Sequence, residues 1–128
     1  MSDALYSQRI KELAARPEAR LVAPDVSATL DNPLCGDRVT IEAKMENGAP
    51  HEIGRAVKGC LLCRASAALL AEQGGEAPDI ESIRRMLRGE GGITPSGWEI
   101  FAPVSEYKSR HDCVLLPLRT LSRACESK

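Results

Sequence analysis

The chain has 128 residues, 43% hydrophobic and 27% charged, with a net charge of −1. That size suits one domain spanning residues 1–128, and the charge supplies no basic field to gather a phosphate backbone, arguing against a nucleic-acid partner. No apolar run approaches the ~20 residues needed to span a bilayer, so no membrane partner is expected. The N-terminus, MSDALYSQRIKELAAR, has no apolar h-region, and Asp3 and Glu12 speak against a transit peptide. Five cysteines, an odd number, make a poor disulfide framework. The expected compartment is therefore the reducing cytosol, where several cysteines more often mean metal binding or thiol chemistry.

In chain order, Leu5, Ile10, Leu13 and Ala14 fall at helical spacing and predict a helix over Ala4–Ala15, capped by Asp3 and ended by Pro17. Val26–Leu30 alternates briefly, and Asn32-Pro33 breaks regular structure. Val39, Ile41, Ala43 and Met45 alternate with Thr40, Glu42, Lys44 and Glu46, which predicts a half-buried strand. Asn47-Gly48 is a hairpin turn, with Glu52–Lys58 returning in a register that its mixed polarity leaves open. From Cys60 to Glu72 good helix formers dominate, until Gly74-Gly75. Asp79 caps a further helix that Gly89 stops. Gly89 to Gly97 reads as a loop, and its Gly89-Glu-Gly-Gly92 lacks the lysine and the preceding strand of a phosphate loop. Another helix is expected to begin near Ser96 or Pro103. Val114, Leu118 and Leu121 predict a last helix starting near Pro117. Helix, then strands, then helices is an α+β order.

Asn32-Pro-Leu-Cys35-Gly-Asp37 precedes the best strand. In an extended segment Cys35 and Asp37, two apart, point the same way. A thiolate beside a carboxylate is relieved by a cation. Cys60 follows 25 residues later (60 − 35) at a strand-to-helix junction, where unpaired backbone N–H groups favour thiolate. Cys113 comes 53 residues further on (113 − 60), at another predicted element boundary. Together they form a scattered Cys₃Asp set that suits zinc, and thiolates also hold iron–sulfur clusters. Cys60-x-x-Cys63 invites a redox reading, but an antiparallel hairpin precedes it rather than a βαβ unit. Cys63 is thus expected in the core or near the site, and Cys125 as an incidental thiol.

Three segments carry a resemblance: Asn32-Pro-Leu-Cys35-Gly-Asp37, Lys58-Gly-Cys60-Leu-Leu-Cys-Arg-Ala-Ser66-Ala, and Arg110-His-Asp-Cys113 with Leu116-Pro-Leu-Arg119-Thr-Leu. In this order, and with Tyr6 in the N-terminal helix, the chain resembles the U-type iron–sulfur scaffold family of the NifU N-terminal domain, IscU and SufU. The resemblance implies a three-stranded antiparallel sheet with an N-terminal helix and a C-terminal group of helices packed on it. It implies that Cys35, Asp37, Cys60 and Cys113 hold a transient [2Fe–2S] cluster or a Zn²⁺ ion. It also implies sulfur arriving from a cysteine desulfurase, transfer to iron–sulfur acceptor proteins, and compatibility with a monomer.

The departures point toward SufU-like members. Asp112 stands where IscU-type chains carry histidine, with His111 one residue earlier. Phe101-Ala-Pro-Val-Ser-Glu-Tyr-Lys108 replaces the Leu-Pro-Pro-Val-Lys chaperone motif, and Arg110 precedes Cys113 by three. His111 could enter the ligand set, since imidazole suits zinc and iron. Arg64, Arg110 and Cys63 are candidate accessories to the thiolates, and Cys113 is the candidate persulfide acceptor. Three functions follow: a cluster assembly scaffold, a zinc-dependent sulfur acceptor, or a zinc-stapled structural domain.

Overall fold

The computed structural model describes residues 7–33, 36–90, 92 and 94–126. The first helix, α1, spans Gln8–Ala15. It starts later than the apolar spacing suggested, because Ser7 is extended and its hydroxyl accepts the Ile10 N–H at 3.3 Å. The expected cap, Asp3, and Tyr6 lie outside the described residues. Arg16, forced extended by the following proline, ends the helix.

Strands β1 (Val26–Asn32), β2 (Asp37–Glu46) and β3 (Ala49–Lys58) form an antiparallel sheet in the order β1-β2-β3. Both β1 and β2 extend to the sharp connection between them, so that Asn32 pairs with Asp37. Gly36 takes a φ of +74° there, and its N–H donates to the Asn32 carbonyl at 2.8 Å. The hairpin turn is as expected, with Asn47 and Gly48 both at positive φ. The returning strand starts three residues before Glu52, and the pairing shifts between Lys44 and Met45. The register that polarity had left open pairs Val39 with Val57 and Ile41 with Arg55. Arg55 therefore shares the inward face of the sheet with apolar residues, which is why the alternation in β3 is obscured.

Helix α2 (Leu61–Gln73) is apolar nearly all round and is the central element, packed against α1, β3 and the last helix. Its Ala65, Ala67 and Ala68 are small enough to admit neighbours closely, while Leu62, Leu69 and Leu70 fill the core. Helix α3 (Ile80–Leu87) carries its expected cap, with Asp79 accepting the Ser82 N–H at 2.8 Å. The stretch Trp98–Glu106 is a 3₁₀ segment rather than an α-helix. It buries Trp98 and Phe101, tilted with centroids 5.5 Å apart. The indole N–H donates to Gln73 Oε1 at 2.7 Å, and the Gln73 amide donates to the Ser96 carbonyl at 2.7 Å.

Helix α4 (His111–Glu126) corrects the sequence reading most clearly: it begins six residues before Pro117, not at it. Inside a helix the proline removes one backbone hydrogen bond, yet the surroundings hold the turn. Ser66 Oγ donates to the Val114 carbonyl at 2.7 Å, and Thr120 Oγ1 to the Leu116 carbonyl at 2.7 Å, both fully buried. The consequence is functional. Cys113 lies inside the first turn of α4, held by a continuous helix, and not in a loop. No described helix is long and apolar enough to cross a membrane.

Candidate metal centre

The site grows from the strand alternation. Asp37, Val39, Ile41 and Ala43 share the face of β2 that meets the helices, so Asp37 is carried inward and is 3% exposed. Its Oδ1 accepts the Cys60 N–H at 3.1 Å. That contact depends on Gly59, because a Cβ at this position would lie 2.8 Å from Oδ1. A glycine immediately before a candidate ligand was the available signal for a close approach.

Cys60 is the N-cap of α2, extended in backbone, and its Sγ accepts the Cys63 N–H at 3.5 Å. Its thiol pKa is lowered from 9.0 to about 6, first through the hydrogen bond with the Cys113 thiol. The Cys63 and Leu62 N–H groups act the same way, against burial and the negative charge of Asp37. Cys113, fully buried, enters from the first turn of α4. The helix dipole is positive at such termini and favours anionic ligands there. Two N-terminal turns and one strand end thus bring Asp37, Cys60 and Cys113 together, with ligand atoms all within 4.8 Å of one another.

The chemistry of this group fits a cation. Asp37 Oδ2 is buried and has no hydrogen-bond partner among the described residues. An unsatisfied buried carboxylate oxygen costs about 1–3 kcal/mol or more. A tetrahedral zinc ion with bonds of ~2.3 Å to sulfur would place two sulfurs ~3.8 Å apart. Donors already within 4.8 Å need little movement to reach that.

Cys35 lies outside the described residues. His111 is half-exposed at the start of α4, with Nε2 3.1 Å from the Ser105 carbonyl, so that nitrogen carries the proton. It is not within the Asp37–Cys60–Cys113 group. Asp112 instead faces Arg119, at 3.0 Å. Arg110 is exposed and makes no ion pair among the described residues. The Arg64 guanidinium is engaged at the end of α1, donating to the Ala14 carbonyl at 3.0 and 3.3 Å. Cys63 is fully buried in the core, while Cys125 is half-buried, with burial raising its thiol pKa.

No protein-family model matches the chain. It is 27% identical to the iron–sulfur cluster assembly scaffold protein IscU of Thermotoga maritima, over 94% of this chain and 92% of that one. It is 26% identical to the zinc-dependent sulfurtransferase SufU of Bacillus subtilis, over 94% and 89% of the two chains. Among solved structures, the N-terminal part of a nitrogen-fixing NifU-like protein from Brucella abortus superposes with a TM-score of 0.80 at 29% identity. That match covers 97% of this chain and 94% of the other. A scaffold protein for the SUF system from Fervidobacterium islandicum shares the fold, with a TM-score of 0.87 at 24% identity over 98% and 99% of the chains.

Proposed function

We propose, from the premise that this chain belongs to the U-type iron–sulfur cluster assembly scaffold family, that it holds a labile [2Fe–2S] cluster as cargo for acceptor proteins. The observation that carries this is the buried, unpartnered Asp37 Oδ2 beside two thiols at two helix N-termini. Cys35 completes the set. It is two residues from Asp37 in the sequence and belongs to the same Asn32-Pro-Leu-Cys35-Gly-Asp37 motif. Three soft sulfurs bind tightly, whereas one hard carboxylate is the weakest and most exchangeable partner for iron. Such a donor set suits a protein that must release what it builds.

Sulfur would come from a cysteine desulfurase persulfide. Cys113 gives its thiol proton to the Cys60 thiolate beside it and attacks the outer sulfur; a new S–S bond forms at Cys113, the S–S bond to the desulfurase breaks, and the desulfurase cysteine leaves as thiol after taking the persulfide proton. Cys113 is fully buried, so this step requires the first turn of α4 to open. The His111 contact with Ser105 is a tether that must then give way.

A second reading is favoured by the compactness of the group. Donor atoms within 4.8 Å of one another suit a single zinc ion, and a Cys60 pKa of about 6 is that of a ready ligand thiolate. On this reading the protein is a zinc-dependent sulfur acceptor, the activity named for the Bacillus subtilis relative. Anaerobic reconstitution with iron, cysteine and a desulfurase separates the two. The scaffold reading expects visible sulfur-to-iron charge-transfer bands and equal amounts of iron and sulfide. A colourless protein that keeps zinc and still accelerates the desulfurase would establish the second reading in its place.

A further inference from the structure

A separate cavity of about 290 Å³ opens between the end of α1 and the inward face of β3. Its lining includes Arg16, Glu18, Arg55 and Arg64 and none of Asp37, Cys60 or Cys113. Arg55 pairs with Ile41 across the sheet, so it points into the helix layer and is only 8% exposed. Its Nη2 donates to the Pro17 carbonyl at 2.9 Å. Arg64 reaches the same region from α2 and donates from Nε and Nη2 to the Ala14 carbonyl. Two guanidiniums are therefore held in place by backbone carbonyls at the end of one helix.

Their charge is under-compensated. Neither Arg55 nor Arg64 has a carboxylate within 4.0 Å among the described residues. Arg16 is paired with Glu72, which lies outside the lining. The one carboxylate in the wall is Glu18, whose Oε1 already accepts the Val57 N–H at 2.9 Å. With Arg16 neutralised by Glu72, Arg55 and Arg64 against Glu18 leave +1 (2 − 1) in the lining, in a chain whose net charge is −1. Burial, and then the charge of Arg16, hold the Arg55 pKa below its ordinary value, with Glu18 opposing. A desolvated cation without an ion-pair partner is costly, and an entering anion removes that cost.

The donors are also suitably arranged. A guanidinium has five N–H donors in a planar fork that matches carboxylate and phosphate oxygens. One is committed at Arg55 and two at Arg64, which leaves several free for a ligand. We propose that this cavity is an oxyanion-binding site, in which Arg55 and Arg64 clasp the carboxylate or phosphate group of a small ligand. None of Asp37, Cys60 and Cys113 lines the cavity.

The test uses the full chain loaded with zinc, titrated separately with inorganic phosphate and with succinate while chloride keeps ionic strength constant. Backbone amide resonances are the readout, so cluster formation does not enter. Saturating shifts are expected at Ala15, Arg16, Val57 and Arg64, from one or both anions. Saturation by phosphate alone assigns the site to phosphorylated ligands, and saturation by succinate alone to carboxylates. Arg64→Gln should weaken the binding by about tenfold or more, and its melting temperature without anion, measured beside it, separates that loss from the loss of the two bonds to the Ala14 carbonyl. Arg55→Lys keeps the charge, loses the fork, and should weaken it as well. Shifts that never saturate, or saturation unchanged in both variants, would overturn the proposal.

Discussion

Replacing Gly59 with alanine isolates the geometry on which the metal centre depends. The position has no positive φ, so alanine is tolerated by the backbone and only the contact is changed. The new Cβ would sit 2.8 Å from Asp37 Oδ1 and 2.9 Å from its Cγ, against a lower limit of 3.4 Å for ordinary contact. The carboxylate must retreat by 0.6 Å (3.4 − 2.8), or the start of α2 must move by as much. Crowding of this kind costs about 1–3 kcal/mol. The hydrogen bond from the Cys60 N–H, 3.1 Å long, is stretched by the same movement. Loss of an orienting partner around a metal ligand typically lowers affinity about 10–100-fold. Zinc affinity should be measured by competition with a chromophoric chelator under anaerobic conditions, alongside the melting temperature of metal-free protein. Gly75→Ala is the control, since its nearest atom lies at 3.4 Å and no positive φ is involved. If Gly59→Ala folds and binds zinc within about twofold of the parent, then Asp37 is not held where the metal site requires.

Three further outcomes are expected. In metal-stripped protein, the rate of Cys60 alkylation, followed by peptide mass, should rise to half its maximum near pH 6 rather than 9.0; a midpoint near 9.0 would contradict the Cys113 contact. Glu42 is buried and accepts from Arg20 and the Leu21 N–H at 2.7 and 3.0 Å, and the Arg20 bond chiefly lowers its pKa from 4.5. A depressed carboxylate stabilises the fold above its ordinary value and loses that contribution as pH falls through its folded pKa. The melting-temperature gap between the parent and Glu42→Gln should accordingly narrow below pH 4.5, and a constant gap would exclude the linkage. Ser66→Ala removes the buried donor to the Val114 carbonyl, and should cost about 1 kcal/mol, or a few degrees of melting temperature; an unchanged melting curve would show that α4 does not rely on it.

Those same residues show where sequence was readable. Periodicity and turn chemistry are local, so β2, the Asn47-Gly48 turn and the Asp79 cap could be seen directly. Pro117 misled because a proline is usually a helix boundary, and the buried Ser66 bond beside it comes from tertiary packing. The mixed polarity of β3 had the same origin. Arg55, facing inward, finds the Pro17 carbonyl just beyond α1, and no pattern along β3 announces that. At the centre, Asp37, Cys60 and Cys113 were visible as residue types and motifs, but their approach to within 4.8 Å depends on long-range packing.

The most direct measurement is the metal and sulfide content of the protein purified without air, beside that of Asp37→Ala. A scaffold should carry iron and sulfide in equal amounts, and the variant should keep them longer on exposure to a chelator because its exchangeable carboxylate is gone. Zinc alone in both proteins, with no sulfide after incubation with a desulfurase, iron and cysteine, would contradict the cluster-carrying account.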